Sequence, residues 1–207
     1  IAPAGFLSAQ ALAGDPAGLV VNNYTSAETV NIFSFPPVFG NFDNIGEDSL
    51  DLNRDGQSDV FFSCGTCNTF DCDGGYAQLH SLHAGVEFLV DSVHMIRQLA
   101  TGQPINDTML IWEEAQYSAL VTKVYGIGGL ITFGNWIPQP FGYAAVRIKT
   151  STDSLYGWIG ILAAVNSSGS ATVRVQDWAF EHDPTTAPFV DLSVFPEKAV
   201  YCAGDTV

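Results

Sequence analysis

Apolar residues in this chain fall in short runs, often alternating with polar ones, and the runs are bounded by Gly, Asn, Ser or Asp. The runs are "GLVVNNY" from 18, "TVNIFSF" from 29, "DVFFS" from 59, "VEFLV" from 86 and "TMLIW" from 108. A period of two and β-branched or aromatic content predict strands for all of them. Near the C-terminus "YAAVRIKT" (143–150), "LYGWIGILAAV" (155–165) and "ATVRVQDWAF" (171–180) are separated by "STDS" and "NSSGS". Such turn-rich separators predict a three-stranded antiparallel meander. In its middle strand Trp158, Leu162 and Ala164 alternate with Ile159, Ile161 and Val165. Both faces are therefore apolar, which predicts a strand lying centrally in a sheet. The one helix signal is "DSVHMIRQLATG" (91–102), where Val93, Ile96 and Leu99 recur every third residue, with Asp91 or Ser92 as cap and Gly102 as stop. The expected fold is all-β, an antiparallel β-sandwich or jelly roll with at most one short helix. No internal repeat or linker divides it, so residues 1–14 are read as an extended N-terminal arm and 15–207 as a single β-sandwich domain.

Composition narrows the setting. Hydrophobic residues make up 47% of the 207 and charged residues 14%, enough apolar material for a core and too much for disorder. Seven Lys and Arg against 22 Asp and Glu give a net charge of −15, which repels phosphate backbones and excludes nucleic acid as a partner. No apolar run reaches the ~18 residues that span a bilayer, so no membrane insertion is expected. "IAPAGFLSAQALAG" has no basic residue ahead of its apolar part and is read as a processed or trimmed N-terminus. Four cysteines, Cys64, Cys67, Cys72 and Cys202, form an even set suited to disulfides in an oxidising, extracellular compartment. A zinc site built from Cys64, Cys67, Cys72 and His80 or His83 is the alternative, although the spacing does not make two zinc knuckles. The pairing of the cysteines is not legible, and Cys72 with Cys202 is one of three arrangements.

The densest chemical signal is "DLNRDGQSD" (51–59). Asp51, Asn53, Asp55 and Asp59 place side-chain oxygens at positions 1, 3, 5 and 9, Gly56 stands at position 6, and Gln57 offers its carbonyl at position 7. This is the ligand order of a calcium loop: alternate side chains point inward, Gly permits the sharp turn, and a backbone carbonyl completes the ring. Position 12, where an EF-hand carries a bidentate Glu, is Phe62, so further oxygens are expected from Asp43, Glu47, Asp48 or water. Calcium is the expected cofactor, in a structural role.

From this loop onward the chain resembles a family. "DSLDLNRDGQSDVFF" resembles the "slDlngDGtpDFtf" segment of secreted bacterial surface proteins that carry C-terminal sorting tails of the Bacteroidetes or PEP-CTERM kind. "YAAVRIKTSTDSLYGWIGILAAVNSSGSATVRVQDWAFE" is similar to their "YlGfrf…hYGWvrvsv…gsvtikdyAYe" block, and "VEFLVDSVHMIRQLATGQPI" to the segment between, so the likeness covers about residues 45–182. It implies a secreted, β-rich cell-surface domain of unassigned function. Asp followed by Ser or Thr and an apolar residue, the O-glycosylation motif of Bacteroidetes secreted proteins, occurs five times, with Ser49, Ser92, Thr108, Ser154 and Thr206 as acceptors. About one copy is expected by chance. Asn23, Asn106 and Asn166 head Asn-x-Ser/Thr sequences, which matter in a host with N-glycosylation.

No GxSxG, HExxH or Walker loop is present, and Glu87, Glu113, Glu114 and Glu181 are the only carboxylates singled out for a glycosidase pair. The chain is therefore read as non-catalytic. Of Trp112, Trp136, Trp158 and Trp178, only Trp136, in the loop-like "GNWIPQP", is a candidate for an exposed sugar-stacking platform. His94 and His182 are read as ordinary polar residues. Together these features point to a secreted, calcium-stabilised, glycosylated structural or adhesive protein of the cell surface. Its apolar arm would add a strand to a neighbour's open sheet edge and so build a homopolymer. The alternative is a carbohydrate-binding module whose partners are glycans.

Overall fold

The computed structural model describes residues 11–15, 21–22, 31–33, 44–53, 55–69, 72–106, 108–109, 111–126, 129–151, 153–167 and 169–181. Its strands, in chain order, are β1 (Ala11–Leu12), β2 (Val21–Asn22), β3 (Asn31–Phe33), β4 (Asn44–Leu50), β5 (Val60–Thr69), β6 (Cys72–Ser81), β7 (Val86–Leu89), β8 (Gln98–Leu99), β9 (Pro104–Ile105), β10 (Trp112–Glu113), β11 (Ser118–Gly126), β12 (Gly129–Phe133), β13 (Phe141–Lys149), β14 (Ser154–Val165) and β15 (Ala171–Phe180). Two antiparallel sheets dominate. One runs β12-β11-β6-β5-β4; the other runs β10-β7-β13-β14-β15-β2, with β3 also on β15 and β8 also on β13. β1 pairs with β9 as a separate two-stranded ribbon.

The predicted meander is β13-β14-β15, in register from Phe141↔Leu162 to Lys149↔Ser154 and from Gly157↔Phe180 to Val165↔Ala171. Its middle strand is apolar on both faces because both faces are covered. Ile159 and Ile161 join Phe62, Leu79, Phe88, Val146 and Trp178 in the core between the sheets. Trp158, on the opposite face, joins Leu89, Leu99, Ile105 and Tyr143 in a second cluster, where the Tyr143 and Trp158 rings meet edge to face at 5.2 Å. Full burial of a side chain such as Phe62 contributes about 2–3 kcal/mol, so the central core is the main source of stability. The fold is a β-sandwich, as the pattern of apolar runs predicts.

Three boundaries differ from expectation. Residues 91–102 form no helix; among the described residues there is none. Asp91 Oδ1 accepts the Val93 and Met95 N–H groups, and the Asp91 N–H closes the turn on Met95 O, so the Asp caps a tight loop instead of a helix. Ile96 and Leu99, three apart, then serve two different clusters, and Gln98–Leu99 pairs with β13. Among the described residues of "TMLIW" only Trp112 lies in a strand, because Asn106 Oδ1 holds the Thr108 N–H and Oγ1 in a turn. The arm does not extend to residue 14: Ala11 and Ala13 are buried, and Asp15 O accepts the Trp158 indole N–H. These residues cover the outer face of β14, so the body of the domain begins by residue 11; residues 1–10 lie outside the described residues.

Candidate metal loop and the adjoining sheet face

The loop 51–59 closes the β4–β5 hairpin, whose last rung is Leu50↔Val60, and the Asp59 N–H bonds back to Leu50 O. Leu52 is fully buried and pins the loop to the core. Around it the side-chain oxygens accept N–H groups of the loop itself. Asp51 Oδ2 accepts the Gly56 N–H at 2.8 Å, Asn53 Oδ1 accepts the Asp55 N–H at 2.9 Å, and Asp55 Oδ1 accepts the Gln57 N–H at 2.8 Å. Asp59 Oδ2 accepts the Leu52 N–H at 2.8 Å and, more weakly, that of Asn53 at 3.4 Å. Gly56 has φ +90°, a conformation that side chains rarely adopt, which explains the glycine at position 6.

Asp59 is 4% exposed. Burial pushes its pKa up to about 6; the Leu52 and Asn53 N–H groups oppose the rise and the neighbouring Asp51 and Asp55 carboxylates add to it. A buried carboxylate crowded by two others gains from a cation. The donors are all oxygens, which fits a hard divalent ion such as calcium. Among the described residues no three His, Cys, Asp or Glu side chains gather at metal-ligand spacing. Asn53 Nδ2 instead bonds to Asp55 Oδ2 at 3.2 Å, so ion binding would require this amide to turn and the carboxylates to draw together. Of the further donors named from the sequence, Asp48 and Glu47 lie on β4 opposite Phe62 and Ser63, and Asp48 Oδ1 accepts the Ser49 N–H. Asp43 lies outside the described residues.

The cysteines occupy the β5–β6 hairpin. Cys64 is buried in the core, with Sγ 3.7 Å from Ala171 O. Cys67 is registered with Gly74 and Cys72 with Thr69; Cys202 lies outside the described residues. Cys64 pairs with Ala77 and His80 with Phe61, positions of opposite parity on the ladder. The pleat therefore sends Cys64 inward and His80 to the outer face, which separates two members of the alternative zinc set.

Of the glycosylation acceptors, Ser49, Ser92 and Thr108 are exposed and Ser154 is part-buried at the start of β14. Thr206, like Asn23 and His182, lies outside the described residues. Trp136 is corrected: it is 2% exposed, belongs to the core, and its indole N–H donates to Ile161 O at 3.0 Å, so it offers no platform. The carboxylates are engaged separately. Glu87 is held by Arg147 and Lys149, Glu113 meets His94 Nδ1 at 2.8 Å, Glu114 accepts the Gly85 N–H, and Glu181 accepts the Tyr156 N–H.

One exposed aromatic that the sequence did not single out is Tyr117. It is 58% exposed, and its ring lies parallel to His80 with centroids 4.7 Å apart. Its φ of 58° is unusual for a residue with a side chain. The one signal in the sequence is that "EEAQYSA" turns a corner without Gly, Asn or Asp, so another residue must take the left-handed conformation. The 51–59 loop adjoins this region through the Leu82 N–H, which donates to Asp59 O at 2.8 Å. No family model, curated protein or solved structure matches the chain.

Proposed function

We propose that this chain is a secreted, calcium-stabilised and glycosylated β-sandwich that acts structurally at the cell surface, as an adhesive module or the subunit of an extracellular filament. The observation that supports it best is the 51–59 loop, where Asp59 is buried beside Asp51 and Asp55 and every donor is oxygen. In this reading Asp51, Asn53, Asp55, Asp59 and the Gln57 carbonyl hold the ion, which neutralises the loop and fastens the β4–β5 turn. The exposed Asp-Ser/Thr sequences and the surface-protein resemblance support secretion, and the engaged carboxylates support a non-catalytic role.

Thermal melting tests the metal. A cation bound to the native state alone raises stability by RT ln(1 + [L]/Kd), about 2.7 kcal/mol at a hundredfold excess over Kd. Calcium is expected to raise Tm, chelator to reverse the rise, and the double variant Asp51→Asn, Asp55→Asn to abolish it. An identical Tm with calcium and with chelator would refute the site.

A further inference from the structure

We propose that the outer face of the five-stranded sheet carries a shallow binding row for neutral carbohydrate, with Tyr117 as its stacking platform. The row follows from register. Ser49 on β4 is opposite Phe61 on β5, Phe61 is opposite His80 on β6, and Ser118↔Leu79 places Tyr117 alongside His80. Adjacent strands are about 4.8 Å apart, so the row crosses three spacings, about 14 Å, the length of two to three pyranose rings.

Each member suits a sugar. One face of the Tyr117 ring is held by His80, and the exposure of Tyr117 leaves the other open to solvent. Such a fixed ring can stack on the C–H face of a pyranose with little side-chain entropy left to lose. His80 Nδ1 is buried without a hydrogen-bond partner, so stacking is the contact that holds the imidazole beneath the tyrosine. In the protein with Ser49 unmodified, its exposed hydroxyl at the far end, 2.9 Å from that of Ser58, is a polar rim for ring hydroxyls. Tyr117 keeps a left-handed backbone that Gly would adopt without strain, and backbone strain of this kind collects at ligand sites.

The chemical class follows from size and charge. One open ring is far smaller than the about 800 Å² per partner of a stable protein interface. The net charge of −15 repels nucleic acid and anionic polysaccharide alike. A neutral glycan remains. The row does not involve the ligands of the metal loop, so this inference and the calcium reading stand or fall separately.

The test is titration of the calcium-loaded protein with neutral hexaoses of glucose, mannose, galactose, xylose and N-acetylglucosamine, with a hexagalacturonate as the anionic control. Calorimetry and aromatic NMR are the readouts. At least one neutral hexaose is expected to shift the Tyr117 and His80 ring signals and to bind in the millimolar range or tighter, while the control does not bind. Tyr117→Ala should weaken binding at least about tenfold and Tyr117→Phe less than about threefold, since the ring and not the hydroxyl makes the contact. Tyr117→Gly, which relieves the backbone strain, should stay folded with undiminished Tm and yet not bind. The proposal is overturned if no neutral hexaose moves the Tyr117 signals at about 5 mM, or if Tyr117→Ala binds like the parent.

Discussion

Asp177 sits opposite Gly160 on the β14–β15 ladder, beside a register shift, and its Oδ1 is buried without a hydrogen-bond partner. Burial raises its pKa above the usual carboxylate value, and burial does the same to Glu181. A carboxyl whose folded pKa exceeds its unfolded value of about 4 stabilises the fold while protonated. That contribution is complete below pH 4 and is lost as the pH rises through the raised value. Asp177→Asn removes the buried charge while keeping the shape, and is expected to raise Tm at pH 7 by about 3 °C but not at pH 4. Equal effects at the two pH values would show that charge is not the cause. The glycines make a second residue-scale prediction. At Gly56 a Cβ would meet nothing within 4 Å, whereas at Gly134, with φ +110°, it would strike the Leu120 carbonyl. Gly56→Ala should therefore cost about 1 kcal/mol of strain, and Gly134→Ala about 2 kcal/mol or more, as read by denaturant unfolding. At this scale the self-bonded turn of residues 51–59 was legible in sequence because its Asp, Asn and Gly spacing is local. Tyr117 was not, because its exposure depends on a register between strands distant in the chain. Trp136 was misread because a loop-like sequence does not reveal that its indole reaches Ile161 O inside the core.

Among the elements, the meander was legible because each of its strands has a period of two and ends in a turn. The segment 91–102 was not, since Val93, Ile96 and Leu99 have helical spacing by coincidence: Val93 is 63% exposed, and the other two enter separate clusters. The N-terminal boundary bears on the filament hypothesis. Removing residues 1–10 spares both residues of β1, while removing 1–13 uncovers Tyr143, Trp158 and Ile105. The longer deletion should have a Tm several degrees below that of the shorter one, about 1–3 kcal/mol of lost burial. If the protein as isolated forms fibres in electron micrographs, only the shorter deletion tests arm exchange cleanly, and normal fibres after it would exclude residues 1–10 as the joining strand. The acceptor suited to such a strand is β12, an edge of the five-stranded sheet where Ile131 and Phe133 are exposed.

For the whole molecule, a net charge of −15 raises the question of whether calcium acts at one loop or merely screens. Screening of exposed charges is already strong at 0.15 M salt, with a Debye length of about 8 Å. A gain in Tm from millimolar calcium that survives about 0.5 M NaCl is therefore expected if the 51–59 loop binds the ion, and a gain that disappears would assign it to general screening. The sheets also differ in how they are finished. The eight-stranded sheet is apolar on both sides and its outer face is sealed in part by Ala11 and Ala13, whereas the five-stranded sheet presents its outer face to solvent at Tyr117 and Ser49. Among the described residues the seal is held by two rungs, Ala11↔Ile105 and Leu12↔Pro104, and by the Ala13 N–H and carbonyl, which bond to Gln103 O and the Gly102 N–H. A pull at residue 11 would load these bonds before it reached the nine rungs of β13–β14. Under such a pull the β1–β9 ribbon at residues 11–13 should thus yield before the meander, releasing a short length of slack while the sandwich and its exposed face keep their shape.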